Sequence, residues 1–234
     1  MSVILRTKPR QIKVQIGVNP YACASVIIEY GKTKVHVTAS LEEETPRWLK
    51  NQNRGWVTAE YAMLPAATHT RNKREKNKIS GRSQEIQRLI GRSLRAMIDL
   101  EKLGERSLII DCDVLIADGG TRTASITGGA IALELAIKKL MSQGVLAESP
   151  LRCRVAAVSV GLDEKHQVIA DLNYQEDSTC ETDMNIVMTN QGEFVEVQGT
   201  AEGRPFSQQA LQNLITAAQG SLDEIFKIQE EALS

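Results

Sequence analysis

The residues best equipped for chemistry lie in three stretches. The first is Asp118-Gly119-Gly120-Thr121-Arg122-Thr123. An apolar run rich in branched residues, 108–116, leads into it, and a run with helical spacing (Ile126, Ala130, Leu133, Ile137, Leu140, Met141) follows. Strand, glycine turn and helix are expected in that order. A helix start presents unpaired backbone N–H groups at the positive end of its dipole. Gly119 and Gly120 let an anion come close to them. Thr121 and Thr123 offer hydroxyl donors, and the planar fork of Arg122 matches phosphate oxygens. The stretch therefore reads as a phosphate cradle. It matches neither G-x-x-x-x-G-K-[ST] nor G-x-G-x-x-G, so ATPase and dinucleotide-binding readings lack support.

The second stretch, residues 175–185, gathers four acids between two expected strands. Asp177 and Asp183 are close enough in sequence to converge on one ion, from a loop and from the start of the following strand. Mg²⁺ takes one or two carboxylates and completes its shell with water and substrate phosphate. The third stretch is basic. Arg71, Lys73, Arg74, Lys76 and Lys78 crowd a polar loop over residues 68–78. Arg82 stands just before the expected first long helix, and Arg88, Arg92 and Arg95 recur at i, i+4 and i+7 along it. Such residues track a phosphate backbone. Each stretch has a plainer explanation on its own: a turn, solvated acids, a solvated face. Together they are the parts of a phosphoryl- or nucleotidyl-transfer site. His36, His69 and His166 have no nucleophile partner, so a Ser-His-Asp reading does not compete.

The elements that must position these stretches follow from periodicity. Residues 12–40 read as two or three strands, with a hairpin around Gly31-Lys32. Residues 56–64 read as another strand, closed by Pro65. Residues 83–100 carry the 3.6-residue apolar period of a helix, with Gly104 just past its end. Residues 153–160 form an apolar strand, and the alternation over 168–174 predicts a half-buried one. A hairpin is expected around 190–192, and Ser207 caps a last helix with Leu214, Leu222 and Ile225 on its apolar side. The chain has 234 residues, 42% of them hydrophobic. That suffices for a buried core. No apolar run approaches the roughly 18 residues that span a bilayer, and residues 1–6 lack a signal peptide's apolar region. Cys23, Cys112, Cys153 and Cys180 form no C-x-x-C pair, which favours reduced thiols, a cytoplasmic location and no zinc site. Net charge is −1, so any affinity for nucleic acid must come from local charge.

Several blocks together resemble the ribonuclease PH family of phosphorolytic 3′-to-5′ exoribonucleases, related to exosome ring subunits. They are residues 55–61 (GWVTAEY), 81–90 (GRSQEIQRLI), 111–114 (DCDV), 118–127, 176–178 (EDS), 183–185 (DMN) and 196–200 (EVQGT). The resemblance runs from about residue 20 to the end. It implies an α+β fold like ribosomal protein S5 domain 2, with βαβ units and mixed sheets packed with long helices. A single domain over 1–234 is implied, with a core of about 12–160 and a C-terminal lobe of about 150–234. It also implies a homo-hexameric ring, a trimer of dimers. Residue by residue, Arg82, Gly120, Thr121 and Arg122 match phosphate-binding positions. Asp177 and Asp183 match paired catalytic or metal-binding aspartates, with Mg²⁺ as cofactor. Arg71 and Arg74 match loop residues that guide the RNA 3′ end. Inorganic phosphate as co-substrate, precursor tRNA and other RNA 3′ ends as substrates, and reverse nucleotide addition are implied too. Ala66 stands where the family often has Arg, and Ile116 where Gln is usual. The opening segment lacks the family's Leu-Arg-Pro, which implies a contact missing or replaced there. A non-catalytic ring subunit and a plain RNA-binding protein are the alternatives. The first predicts loss of phosphate or acid residues, and the second leaves Gly120-Thr121-Arg122 and the aspartates unexplained.

Overall fold

The computed structural model describes residues 4–75, 78–202 and 204–234. Residues 1–3 of the opening segment, and Lys76 and Asn77 of the basic loop, lie outside the described residues. The chain builds two five-stranded mixed sheets. One has the order β2 (Ile12–Ile16), β3 (Ala24–Tyr30), β4 (Thr33–Glu42), β6 (Ser107–Ile116), β5 (Trp56–Met63). The other has the order β1 (Ile4–Arg6), β8 (Val168–Ala170), β7 (Val155–Leu162), β9 (Thr182–Thr189), β10 (Phe194–Ala201). β5 and β6 pair in parallel. The helix α1 (Gly81–Ala96) between them makes a βαβ crossover, as parallel neighbours require. The expected α+β fold with mixed sheets and long helices is present.

Strand faces follow sequence alternation. Along β4, Val35, Val37 and Ala39 are buried, while Lys34, His36 and Thr38 between them are only half-buried. Helix α3 (Thr121–Ser142) departs from an amphipathic pattern, for it is buried almost all round. It touches β3, β4 and β6 of one sheet and β7 of the other. Gly128 makes that approach possible: a Cβ there would lie 2.8 Å from Ile28 Cγ2 and 3.1 Å from Val37 Cγ2. Polar stitching completes the seam. Thr127 Oγ1 accepts from Tyr30 Oη at 3.0 Å and from Ala157 N at 3.1 Å. Helix α5 (Gln208–Leu233), capped by Ser207, packs on β7, β8 and β2.

Two expectations are corrected. The first long helix ends at Ala96 rather than Leu100. Asp99 then caps a separate short helix, α2 (Leu100–Leu103), accepting from Glu101 N at 3.1 Å. The strand expected over 168–174 stops at Ala170. Asp171 has φ +55°, which breaks the extended run, and Asn173 caps a short helix, α4 (Tyr174–Thr179). Asn173 and Glu176 form a reciprocal capping box. Asp177 therefore sits on a helix, not on a loop.

Candidate active site

The β6–α3 turn is the floor of the site. Gly119 and Gly120 both have positive φ, +74° and +65°. Gly119 presses on the β8–α4 turn so closely that a Cβ would lie 2.5 Å from Asn173 C and closer still to Leu172 O. Its first role is thus to bring two turns together. From the start of β4, Thr33 Oγ1 donates to Gly119 O at 2.6 Å and accepts from Asp118 N at 2.9 Å. The first turn of α3 then opens on a cavity of about 680 Å³. Thr121 is held there by the buried Tyr61, whose hydroxyl lies 2.9 Å from Thr121 Oγ1. Arg122 Nη1 donates to Gln198 Oε1 at 3.2 Å and pairs with Glu85 Oε1 at 3.5 Å. Gln198 Nε2 also donates to Glu85, at 3.0 Å, so two side chains, from α1 and β10, fix the guanidinium. Thr123 is corrected: it is fully buried and donates to Gly120 O at 2.9 Å, so it supplies no donor to an anion.

The acids face this floor. Asp177 on α4 and Asp183 near the start of β9 line the same cavity, as do Arg82, Gly120, Thr121 and Arg122. Partial burial pushes the Asp177 carboxyl above the usual aspartate range, and the neighbouring Asp183 pushes it further. Arg122 and Arg82 pull the other way. Thr200 Oγ1 donates to Asp183 Oδ1 at 2.9 Å. The other two acids of the run are spent elsewhere. Glu176 caps its helix and pairs with Arg6 at 2.7 Å, and Glu181 lies 3.8 Å from His166. Two carboxylates lining one cavity with the Gly120–Thr121 turn are a donor set that suits a divalent cation keeping several waters. Among the described residues no cluster of three or more His, Cys, Asp or Glu forms a closed metal cage. Cys180 borders the cavity as a neutral thiol, pushed up to about 12 chiefly by burial.

All six expected phosphate and aspartate residues therefore meet in one cavity. Arg71 and Arg74 do not line it. They are exposed on the basic loop, whose Thr68 and Asn72 form the cavity wall. Glu75 ties that loop to α1, accepting from Ser83 Oγ at 3.0 Å. The arginine stripe on α1 is divided. Arg92 pairs with Glu196 at 2.7 Å, and Arg95 donates to Val57 O and lies 4.3 Å over the Trp56 ring. Both guanidiniums are thus engaged by protein partners.

Sequence reading missed the back of the site. The opening segment, where a contact was expected to be missing or replaced, supplies arginines that hold it. Arg6 donates to both carboxylate oxygens of Glu176, at 3.0 and 2.7 Å, and to the carbonyls of Ala170 and Asp171. Arg10 pairs at 2.8 Å with Asp171, whose side chain is fully buried. One local signal was visible in the sequence: Asn173-x-x-Glu176 announces a helix start. The Arg10–Asp171 pair, 161 residues apart, has no local signature.

A cradle of glycines and arginine facing paired aspartates, on two linked mixed sheets, defines a class. Residues 8–138 match the 3′ exoribonuclease family, domain 1, and residues 153–221 match domain 2 of that family. The chain belongs to the 3′ exoribonuclease family. Two relatives called ribonuclease PH, from Neisseria meningitidis serogroup C and serogroup A, are each 55% identical over 227 residues, covering 96% of this chain and 93% of their own. Among solved structures, rice Rrp46 superposes with a TM-score of 0.79 at 16% identity, covering 97% of each chain. A chain of the Archaeoglobus fulgidus exosome with RNA bound to the active site gives a TM-score of 0.77 at 20% identity, over 96% of this chain and 89% of that one. These two likenesses establish a shared fold.

Proposed function

We propose that the protein is a phosphate-dependent 3′-to-5′ exoribonuclease of the ribonuclease PH type. It trims the 3′ ends of precursor tRNA and other RNAs in the cytoplasm and releases nucleoside diphosphates. One observation carries this reading: Arg82, Arg122 and the Gly120–Thr121 turn converge with Asp177 and Asp183 on one cavity. Relatives at 55% identity that bear the name ribonuclease PH support it.

Inorganic phosphate is the nucleophile. The Gly120–Thr121 backbone and the two guanidiniums hold it in line with the terminal phosphodiester of the RNA. One phosphate oxygen bonds to that phosphorus as the bond to the 3′ oxygen of the preceding nucleotide breaks. The nucleoside diphosphate departs, and the shortened RNA keeps its 3′ hydroxyl. Positioning and charge stabilisation carry most of such a transfer. Asp177 and Asp183 would hold Mg²⁺, which when bound neutralises charge on the transferring phosphoryl group and the leaving oxygen. Reverse addition from nucleoside diphosphates follows from microscopic reversibility. Arg71 and Arg74 guide the strand into the cavity along the loop, and the whole chain works as one domain. A homo-hexamer, a trimer of dimers, is the proposed assembly, read by sedimentation at micromolar concentration.

The test is a 3′-extended RNA with the pure protein and Mg²⁺, with and without phosphate. Shortening only with phosphate, releasing diphosphates, is expected. Shortening without phosphate, releasing monophosphates, means hydrolysis and overturns the reading. RNA bound and never shortened means a non-catalytic subunit. Arg122→Ala is expected to abolish turnover and leave most RNA binding intact.

A further inference from the structure

The two halves of the site come from turns distant in sequence. The cradle begins at the β6–α3 turn, residues 117–120, and Asp177 follows the β8–α4 turn, residues 171–173. Their separation decides whether phosphate and the aspartates meet the same phosphodiester. Arg10 spans both. Toward the β8–α4 turn, its backbone N and Nε donate to Asp171 Oδ2 at 2.8 and 2.9 Å, and Nη2 donates to Oδ1 at 2.8 Å. Toward the β6–α3 turn, Nη1 donates to Asp118 O at 2.7 Å and Nη2 to Gly119 O at 3.4 Å. The side chain of Arg10 is 11% exposed, and that of Asp171 is 0% exposed. Arg6, by contrast, holds only the acid side, bonding Ala170, Asp171 and Glu176.

We propose that Arg10, clamped to Asp171, is a positioning residue that sets the distance between the phosphate cradle and the aspartate pair, and so sets phosphate affinity and turnover. The inference rests on the phosphorolytic reading above. Its physical basis is the rigid guanidinium fork. One planar group meets a carboxylate on one side and two carbonyls on the other, which a lysine ammonium on a flexible stem cannot reproduce. Asp171 sits at φ +55°, so its carboxylate emerges from a kink in the backbone rather than from an adjustable loop. A shift of about 1 Å between reacting groups costs a rate factor on the order of 10².

The test compares the parent with Arg10→Lys and with the double variant Arg10→Met/Asp171→Asn. The double variant removes both buried charges together and leaves neither unpaired, which favours folding. Asn also tolerates the left-handed backbone at 171. Phosphorolysis is measured against phosphate concentration, RNA binding without phosphate by anisotropy, and stability by thermal melting. Expected in both variants is a fall of about a hundredfold in kcat/KM for phosphate, with RNA affinity changed less than about threefold. The double variant is expected to melt near the parent and stay slow. A double variant that melts near the parent and turns over at the parental rate overturns the proposal, as does Arg10→Lys with parental kinetics. Should neither variant fold, the parent itself decides: saturating phosphate is expected to slow amide exchange at Arg10, and no slowing overturns the clamp. A parent without phosphate-dependent turnover overturns the underlying reading, and that shows in the parent alone.

Discussion

Gly119→Ala tests the closure of the site most directly. The residue has φ +74°, and left-handed backbone costs alanine roughly 1–2 kcal/mol. The added Cβ would also lie 2.5 Å from Asn173 C, where ordinary contact begins at 3.4 Å. Both partners are backbone, so the two turns must part by about 0.9 Å. Overpacking of this kind adds about 1–3 kcal/mol. The sum, about 2–5 kcal/mol, corresponds in a chain of this size to a melting temperature lower by roughly 10 °C. The same parting moves cradle from acids and lowers kcat/KM for phosphate by about a hundredfold, equivalent to about 2.7 kcal/mol. Gly144→Ala is the comparator. Its φ is +72° and a Cβ there meets nothing within 4 Å. It isolates the backbone cost, with a melting shift of about 3–5 °C and parental kinetics. Melting curves and initial phosphorolysis rates on all three proteins suffice. If Gly119→Ala loses no more activity than Gly144→Ala, the claim that this contact registers the two halves fails.

Asp177→Asn is expected to abolish turnover and to raise the melting temperature, because burial and Asp183 penalise the ionised carboxylate. The sign is that of an acid raised on folding: the folded state is disfavoured while Asp177 is ionised, and the penalty fades as pH falls through its raised value. The melting difference from the parent should therefore be largest near pH 8 and close on the acid side, in a scan across pH. Arg154→Met should cost about 1–3 kcal/mol in urea denaturation, since it leaves the buried Glu134 with Lys138 alone, at 3.3 Å, in place of the two bonds of 2.8 and 3.0 Å that Arg154 makes. Adding Glu134→Gln should recover most of that loss. Arg71→Ser and Arg74→Ser should each weaken RNA binding and reduce the salt slope of log K by about 0.7, as for one single-strand phosphate contact. Phosphate KM should not move in either, and a phosphate effect without an RNA effect would refute the assignment to the loop.

Much of the site was legible because its residues are dense in chemistry and lie beside strong periodic runs. Residues 108–116 and 126–141 announce a strand and a helix around Gly119-Gly120, and the structure places both. Asp177 and Asp183 were recognisable as a pair, but the element under Asp177 was not. Apolar alternation over 168–174 promised a strand, and one residue with positive φ, Asp171, ended it early. A pattern of period two cannot register such a kink, whereas the Asn173–Glu176 box could have. The end of the first helix was misplaced for a related reason. Ile98 and Leu100 continue the apolar stripe, but Asp99 starts a new cap. Thr123 looked like a donor because a hydroxyl near a helix start usually has the choice of anion or backbone, and here Gly120 O takes it. Arg10 and Asp171 were beyond reach, since nothing in either neighbourhood names a partner 161 residues away.

Helix α3 carries the cradle on its first turn and is enclosed by both sheets along its length. Segments so enclosed exchange their amide protons only when the whole molecule opens. The cradle thus starts from a helix buried almost all round, while the facing wall around Thr68 and Asn72 is irregular surface chain. A destabilising substitution in the core then reduces the number of folded molecules in a cell, and each survivor keeps the turn from Gly119 to Arg122 in place.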